Sequence, residues 1–570
     1  MKNNCQIIFN NEDIKNKIKN CDLIFIFFND FINYKEKKLF LFDFLKKNNH
    51  SFIEKKFHNI IENKIKNEKN EFNNINNNKL WIFRYLRDVN ILIKIIENLK
   101  QKYTNIFWIK KEIFEIKTFH ELSKIENIIK TIFNEHLGVI KIDSKYPKII
   151  QNNKFNYSTK VKETLKVRTN LSNAENIAIG SGNDMYRILK FIENFRSLKN
   201  NNVFVLADNF KKIKSYNFEL NSTIFKKIKK VNIKKLFYPN IFELIFNFFK
   251  IKFKIKKILF DQELFLTKNI NLKLFEVNFK SIFIKNKLEI IRNFIIYKKI
   301  KSFLLINKPK NIFVCNNDGI YERIIEKISP RNFTLFSVPH GFMSTFENYD
   351  YYADKYLSEN KFRSNFLKKY ITINKDQIIH INLEFENNIK KYRYKDKNKI
   401  SILNNGYGNF SFSNYYYPKK FENSWEILIK FIKERKNFFF NIVSHPNNNH
   451  DNYLEDLFKK NKVKNYELLP FLKKNNELSK SSLIIEFGNP SGASIYCLQN
   501  RLPIVFFTEF IKKISSSRKF IINNKLLTKF NTTSNLCRFI DKYHKNFKKN
   551  YRDLIYNNYS FSKKFILNDK

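Results

Sequence analysis

Apolar residues along the chain fall into short runs, and each run is followed by a longer segment with helical spacing. The runs are rich in β-branched and aromatic residues and do not alternate with polar ones, which is typical of strands buried on both faces of a parallel sheet. Strands that alternate with helices predict an α/β architecture throughout. The predicted strands are Gln6–Phe9, Leu23–Phe28, Ile106–Ile109, Val203–Ala207, Ile312–Cys315, Phe333–Val338, Ile400–Leu403, Phe438–Val443, Leu483–Ile485 and Ile504–Phe507.

A polar, charged segment near residues 387–399 has no core pattern and separates two blocks of the chain. Because 570 residues exceed what one compact core usually holds, more than one domain is expected. We predict an N-terminal Rossmann-like domain with helical and basic insertions over residues 1–390. A C-terminal Rossmann-like domain follows over residues 391–545, and residues 546–570 form a tail or a crossing helix.

The charge balance is strongly positive, with 106 Lys and Arg against 53 Asp and Glu. Most of the basic residues are Lys, and abundant Asn, Ile, Phe and Tyr with scarce Gly and Pro are what an A/T-rich genome encodes. Nucleic acid is therefore not expected as a partner, although a positive surface attracts nucleotide phosphates, lipid headgroups and acidic glycans. A Lys/Phe/Ile-rich zone over about residues 211–257 has two interpretations: a surface for anionic lipid or polysaccharide, and ordinary helix faces in a biased composition.

The five cysteines are scattered and form no CxxC pair, so neither a zinc ribbon nor a disulfide framework is predicted. Such usage suits a reducing cytoplasm. The N-terminal sequence lacks the apolar core of a signal peptide, and no run of about 18 apolar residues occurs. We expect a cytoplasmic protein, either free or held peripherally at the inner face of the cytoplasmic membrane.

Candidate chemistry in the C-terminal block begins where a predicted strand runs into Ser444-His445-Pro446. Ligands of open α/β sheets bind at the carboxyl ends of parallel strands. An imidazole there can donate a hydrogen bond or a proton to a phosphate oxygen. Taken alone, His445 is equally well explained as a histidine of a surface loop.

The next candidate is the segment Glu486–Ser494, which follows another predicted strand and leads into a helix. Small residues at a helix N-terminus expose backbone N–H groups to an anion, and the helix dipole favours negative charge. Ser491 or Ser494 either caps the helix or holds a phosphate, and these roles compete. The predicted donor-phosphate site comprises His445, Pro446, Gly488, Ser491, Gly492 and Ser494.

The N-terminal block offers a second pair of strand ends, one followed by Asn316-Asn317-Asp318-Gly319 and one by Pro339-His340-Gly341. Asp318 and His340 are candidate general bases for an acceptor hydroxyl, and both also fit ordinary turns. Gly180-Ser181-Gly182 lacks the third glycine of a dinucleotide fingerprint and is interpreted as a loop. The sequence contains neither a phosphate-loop motif nor an Asp-x-Asp motif.

These motifs resemble those of known enzymes over roughly residues 310–510. Pro339-His340-Gly341, followed by Tyr351–Glu359, is similar to bacterial surface-polysaccharide transferases. His445-Pro446 and the Ser491/Ser494 segment resemble the His-Pro and Ser-Ser motifs of bacterial sialyltransferases and polysialyltransferases, and similar elements occur in CDP-glycerol glycerophosphotransferases. Asn317-Asp318-Gly319 resembles the acidic-acidic-Gly motif of the sialyltransferases, with Asn in place of the first acid.

The resemblance implies a GT-B-like fold, in which two Rossmann-type parallel-sheet domains face each other across a cleft. It implies an inverting glycosyltransferase of capsule or lipopolysaccharide biosynthesis that uses neither a metal nor a cofactor. The enzyme would move a sugar, sialic acid or a related acid, from a nucleotide-sugar donor to a cell-surface glycan or lipid-linked acceptor. By the resemblance, Asp318 would be the acceptor base, His445 would contact the donor phosphate, and Ser491 and Ser494 would help to bind it.

Two other functions fit the same sequence, as does a degenerate transferase retained as a scaffold. A CDP-polyol phosphotransferase of envelope polymer synthesis would share the anion-binding architecture and differ in its donor. A non-catalytic basic protein that binds nucleic acid or a membrane surface would show binding that depends on salt and not on His445.

Overall fold

The computed structural model describes the protein in segments. They are residues 4–8, 14, 17–25, 39–45, 56, 60, 90–91, 93–110, 139–143, 175–180, 185, 188–189, 191–192, 203–207, 229–269, 280–315, 320–328, 332–339, 353–358, 361–370, 374–381, 397–404, 417–444, 451–469, 474–511 and 516–566. Within these segments every strand pairs in parallel, and the strands form three sheets with helices between them. The predicted α/β class with parallel sheets is confirmed.

Sheet 1 contains five strands in the order β3-β2-β1-β4-β5. The chain leaves β1 to form β2 and β3 on one side and then returns to add β4 and β5 on the other. Residues 93–100, which precede β4, are helical, and a short 3₁₀ turn follows β3 at Leu41–Phe44. The strands are β1 (Asn4–Ile8), β2 (Asp22–Phe25), β3 (Leu39–Phe40), β4 (Asn105–Lys110) and β5 (Val139–Asp143).

Sheet 2 contains seven strands in the order β8-β7-β6-β9-β10-β11-β12. The strands are β6 (Asn176–Gly180), β7 (Val203–Ala207), β8 (Lys229–Asn232), β9 (Asn311–Cys315), β10 (Thr334–Val338), β11 (Lys355–Ser358) and β12 (Ile378–His380). The helices are α1 (Ile233–Phe237), α2 (Ile241–Asn269), α3 (Lys280–Asn307), α4 (Ile320–Lys327) and α5 (Lys361–Tyr370), and a 3₁₀ turn spans Lys375–Gln377. Gly180 therefore ends a strand, which corrects its interpretation as a loop residue.

Sheet 3 contains six strands in the order β15-β14-β13-β16-β17-β18. The strands are β13 (Lys399–Asn404), β14 (Phe439–Ser444), β15 (Tyr466–Leu469), β16 (Leu483–Phe487), β17 (Ile504–Phe507) and β18 (Lys529–Phe530). The helices are α6 (Pro418–Glu434), α7 (Asp451–Lys460), α8 (Lys474–Lys480), α9 (Gly492–Gln499), α10 (Ser516–Asn523), α11 (Thr533–Lys545) and α12 (Phe547–Phe565).

Both faces of sheet 2 are apolar because successive side chains of a strand point to opposite faces. Ile177 and Ile179 belong to one buried cluster, whereas Ala178 between them belongs to a second cluster. The neighbouring β9 divides in the same way, with Val314 in the first cluster and Phe313 in the second. Burial on both sides explains why these strands are continuous apolar runs in the sequence.

The described strands fall into two compact units. β1–β5 and β13–β18 belong to the first unit, and β6–β12 to the second. Residues 56–86 and 150–384 belong to the second unit, and the chain leaves that unit between β12 and β13, close to the polar segment 387–399. Residues 1–390, treated as one domain in the sequence division, contribute strands to both units.

The first unit is unified by one core cluster that spans distant parts of the sequence. Ile8, Phe25 and Phe40 of sheet 1 share this cluster with Trp425 of α6 and Phe487 of β16. At its carboxyl-terminal end, Asn558 of α12 donates from Nδ2 to the carbonyls of Leu502 and Ile504, at 3.1 Å each. Residues 547–565, predicted as a tail or a crossing helix, are α12, which packs on α9 and β17 of this unit.

The five cysteines are all free. Among the helices of the described segments, none is both long enough and apolar enough to cross a membrane.

Trp425 is fully buried, and its ring lies 4.6 Å from that of Phe487 and 6.1 Å from that of Phe458. Trp425→Ala should lower the free energy of unfolding of the first unit by about 3–5 kcal/mol, because the cavity cannot close around a rigid aromatic cluster. Ile427→Ala is the matched control on the same helix, since Ile427 is 42% exposed and should cost less than about 1 kcal/mol. Urea denaturation followed by circular dichroism tests this, and equal losses in the two variants would contradict the packing described.

His544 is buried on α11 against the Phe438 ring, and burial lowers the pKa of its imidazole below the ordinary value. Its Nδ1 lies 2.9 Å from the Ile540 carbonyl and its Nε2 lies 3.3 Å from Ser482 Oγ. Because the unfolded chain binds the proton more tightly, stability is complete above the unfolded pKa of about 6.5 and falls as the pH drops below it. His544→Gln should flatten this fall in urea midpoints taken from about pH 7.5 to about pH 5. Identical pH slopes for wild type and variant would refute it.

Candidate functional site

Sheet 3 has the strand order of the dinucleotide-binding doubly wound fold. Numbered from β13, its strands lie in the order 3-2-1-4-5-6. Sheet 2 has the same order with one strand added, and sheet 1 has the first five positions of it. In such sheets the order reverses between the first and fourth strands, and ligands bind in the crevice outside the carboxyl ends at that point. The switch point of sheet 3 lies between β13 and β16.

Three strand ends meet at this switch point. Asn404, the last residue of β13, pairs with Ser444 of β14 on one side and with Phe487 of β16 on the other. Since neighbouring strands are about 4.8 Å apart, the ends of β14 and β16 are separated by about 10 Å. His445 and Pro446 directly follow Ser444 and lie outside the described residues, so their assignment to the phosphate site stays a prediction.

Gly488 turns the chain away from the sheet immediately after β16. Its φ angle of 124° is in the region that disfavours side-chain-bearing residues, and its N–H donates to the Phe507 carbonyl at 3.1 Å. The following residues, Asn489 and Pro490, are buried. The chain is therefore held closely against the sheet edge as it approaches the start of α9.

Ser491 and Ser494 cap α9 reciprocally. Ser491 Oγ accepts hydrogen bonds from the N–H groups of Ala493 and Ser494, at 3.2 and 3.3 Å. Ser494 Oγ accepts from the Ser491 N–H at 2.8 Å and donates to the Ser491 carbonyl at 2.9 Å. Ser491 Oγ also donates to Glu486 Oε2 at 3.1 Å. Of the two competing roles predicted for these serines, the structure shows the cap.

Gly492 is the residue at this helix end that has open space where a side chain would lie. It is the first residue of α9, where a backbone N–H has no acceptor within the helix. A Cβ atom placed on Gly492 would meet nothing within 4 Å. With the serine hydroxyls engaged in the cap, the Gly492 N–H is the group at this end that remains suited to contact an anion.

The N-terminus of α6 is a second candidate anion site that sequence reasoning missed. α6 follows β13, so it corresponds to the helix that meets the pyrophosphate in dinucleotide-binding folds. Its first turn contains Lys419 and Lys420 and no acidic residue. Cations are unfavourable at the positive end of a helix by about 0.3–1 kcal/mol each, and a bound anion would reverse that effect.

The start of α6 is tied to the same edge of sheet 3, because the Tyr417 N–H donates to the Phe510 carbonyl at 2.7 Å. The sequence between β13 and α6 includes Gly406-Tyr407-Gly408, which lies outside the described residues. Two glycines after a predicted strand are the sequence signal that could have pointed to this helix end.

Glu509 caps the N-terminus of α11, a neighbouring helix of the same sheet. It follows β17, and its Oε2 accepts from the N–H and the hydroxyl of Thr533, at 2.6 Å each. Ser424 Oγ donates to the same oxygen at 3.4 Å. A carboxylate therefore satisfies the N-terminus of α11, which makes Glu509 a structural group.

The second unit presents the strand ends predicted for the acceptor side. β9 pairs with β10 in parallel, and Cys315 is level with Val338 at their carboxyl ends. Asp318 and His340 follow these two residues at short distance in sequence and lie outside the described segments. β6, which precedes Ser181-Gly182, pairs with the other side of β9 and forms the switch point of sheet 2 with it.

The Ala353–Ser358 part of the family-like motif has a structural role in this unit. Asp354 accepts the Leu335 N–H at 2.8 Å through Oδ2, and the Asp354 N–H donates to the Leu335 carbonyl at 3.0 Å. Ser358 accepts from Ser364 at 2.9 Å, and Ser364 Oγ lies 3.1 Å from His380 Nδ1. The motif thus fixes β11 between β10 and α5.

No group of three or more His, Cys, Asp or Glu side chains in the described segments is arranged to hold a metal ion.

The chain is similar in structure to several solved proteins. A glycosyltransferase from Rickettsia africae ESF-5 matches 67% of this chain and 93% of its own, with 13% identity and a TM-score of 0.36. UDP-GlcNAc 2-epimerase from Neisseria meningitidis, bound to UDP-GlcNAc, matches 67% and 95%, with 13% identity and a TM-score of 0.39. WaaG, a glycosyltransferase involved in lipopolysaccharide biosynthesis, matches 68% and 95%, with 10% identity and a TM-score of 0.33.

No protein-family model matches the sequence, and no curated protein matches it. Likeness to solved structures at these identities and TM-scores assigns no activity.

Ser491→Ala should lower the free energy of unfolding of the first unit by about 1 kcal/mol, because it removes the N-cap of α9. Ser491→Thr keeps the hydroxyl and should lose less than half of that. The urea midpoints of the two variants and wild type measure the difference. An unchanged midpoint for Ser491→Ala would mean that the cap is not a stabilising element.

Proposed function

We propose that this protein is a nucleotide-sugar-dependent glycosyltransferase of the GT-B type, with the donor held by sheet 3. The observation that carries the proposal is the strand order of sheet 3, with two helix N-termini on its switch-point strands that suit an anion. The motif resemblance over residues 310–510 supports the reaction class. The finer proposal is an inverting enzyme that needs no metal and moves sialic acid or a related acid to a cell-surface glycan or a lipid-linked acceptor.

The donor phosphate is the group that this site fits best. α6 and α9 follow β13 and β16, the strands on either side of the switch point. Gly492 offers an N–H with open space in front of it, and Lys420 adds positive charge to the other helix end, where Lys419 pairs with Glu422 at 3.2 Å. His445, which follows the end of β14, would supply a further hydrogen bond to a phosphate oxygen. Together these groups would bind a nucleoside mono- or diphosphate without a metal bridge.

The proposed reaction is a direct displacement at the anomeric carbon. A base, Asp318 or His340, takes the proton of the acceptor hydroxyl as its oxygen bonds to the carbon. The bond from that carbon to the phosphate oxygen breaks, and the electron pair stays on the phosphate. Fixed donors aimed at this developing charge are where such sites gain most of their rate enhancement.

Nucleotide binding tests the donor site directly. Isothermal calorimetry with CMP, CDP, UDP and GDP in the presence of EDTA should show selective binding of one nucleotide. His445→Ala should weaken that binding at least about tenfold, because a charge-assisted hydrogen bond is lost. Gly492→Leu should weaken it about tenfold by placing a side chain in front of the α9 N-terminus.

The controls separate binding from folding. His450→Ala removes a histidine from the same segment and should leave the affinity unchanged. Gly492→Ala has room for its methyl group and should keep or raise stability. Equal, salt-sensitive binding of all four nucleotides, unaltered in His445→Ala, would replace the proposal with a basic binding protein. Selective CDP binding with transfer of a polyol phosphate in donor screening would replace it with the CDP-polyol phosphotransferase.

A further inference from the structure

Helix α2 of the second unit has two apolar faces on opposite sides. Ile251, Ile255, Ile258 and Leu259 are buried, and the helix packs against α3. A second set of large apolar side chains is exposed to between 56% (Leu264) and 84% (Phe253). At about 100° per residue, this second set occupies a sector of about 60° opposite the buried one. We name it the phenylalanine stripe, and its members are Phe242, Phe246, Phe249, Phe253, Phe260 and Leu264.

The stripe is held in a fixed orientation. At the start of α2, Asn240 and Glu243 form a reciprocal cap, with hydrogen bonds of 2.9 and 2.8 Å. Glu243 also pairs with Lys299 of α3 at 2.8 Å. The acid nearest the start of the stripe is therefore engaged in the cap and an ion pair. Because the buried face is locked on α3, the opposite face points outward along about 33 Å of helix, from Phe242 to Leu264.

Lysines flank the stripe on both sides. Lys250, Lys252, Lys254, Lys256 and Lys257 are all exposed, and no acidic residue lies between the first and last of them. The pKa of Lys298 on α3 is lowered by burial and by the positive charges of the nearby Lys250 and Lys254. The surface thus combines exposed aromatic rings with a dense positive field.

We propose that the phenylalanine stripe docks this unit on an anionic lipid bilayer, with α2 lying flat in the interface. Phenylalanine on one face with lysine along both borders is the composition of interfacial helices, whose rings enter the headgroup boundary while the ammonium groups meet lipid phosphates. A flat orientation follows from the lysines, which prevent α2 from crossing the bilayer.

A second copy of the chain fits the stripe poorly. Docking stripe against stripe would bring two rows of lysines together, and like charges at such an interface are destabilising. An anionic membrane instead gains about 1 kcal/mol for each lysine that approaches it. Charge complementarity therefore favours an anionic bilayer over a second copy of the chain as the partner of the phenylalanine stripe.

The docking surface does not depend on the proposed transferase reaction, and its test uses no nucleotide. The full-length protein is sedimented with vesicles of phosphatidylcholine alone, or of phosphatidylcholine and phosphatidylglycerol in equal amounts. Wild type should bind the anionic vesicles and release them as salt rises. Phe246→Ser with Phe253→Ser should lower the partition coefficient at least about tenfold. Changing Lys252, Lys254 and Lys256 to Gln should lower it about 100-fold.

Tyr556→Ser is the matched control, because Tyr556 is an aromatic residue of the first unit with 71% exposure. It should bind vesicles as wild type does, and circular dichroism should show that all variants are folded. Absence of vesicle binding by wild type, or full binding by the double Phe variant, would overturn the proposal. A dimer in light scattering that the double Phe variant abolishes, without vesicle binding, would overturn it in favour of contact between two copies.

Discussion

The parallel pairing of strands is the constraint from which the candidate site follows. Parallel strands need crossover helices, which cover both faces of the sheet and bring all carboxyl ends to one edge. In sheet 3, the order of the strands then makes β13 and β16 neighbours, although two strands and three helices of the described segments lie between them in sequence. The N-terminus of α9 closely follows the end of β16, and the Tyr417–Phe510 hydrogen bond holds the N-terminus of α6 at the same edge of the sheet. Backbone geometry thus places the two candidate anion-binding helix ends before any catalytic side chain is considered.

Local pattern was sufficient for the strands that are buried on both faces. Each predicted strand is present, and Val203–Ala207 and Ile504–Phe507 have the predicted bounds. The strands that were missed carry weaker signals. Leu39–Phe40 and Lys529–Phe530 are two-residue edge strands, Lys229–Asn232 is basic, and in Asn176–Gly180 only two of the five residues have large apolar side chains. Strand order, register and the grouping of sheet 1 with sheet 3 depend on contacts between distant residues, such as Phe40 and Trp425, which no local window contains.

The sequence predicted a site at a helix N-terminus, but it did not predict the role of each residue there. Gly488 and the α9 N-terminus were identified from small residues after a strand, and the structure gives Gly488 a conformation that suits glycine. The sequence left the serines between two roles, because a hydroxyl at an N-cap can serve the helix or a ligand. Geometry distinguishes them, since Ser494 Oγ lies within 3 Å of two backbone atoms of Ser491. The lysines at the start of α6 gave no signal, since lysine is abundant everywhere in this chain.

Compositional bias explains how many lysines and phenylalanines the protein has, and it does not explain where they are. A net charge of +53 and 63 phenylalanines would arise from biased codons without any function. Bias of that kind places residues on a helix without regard to its axis. In α2, however, the isoleucines of the core and the exposed phenylalanines occupy opposite sectors, and exposed lysines border the second sector. A helix that only had to pack against α3 would need the first sector alone. The second sector is the one that the proposed contact with an anionic bilayer would use.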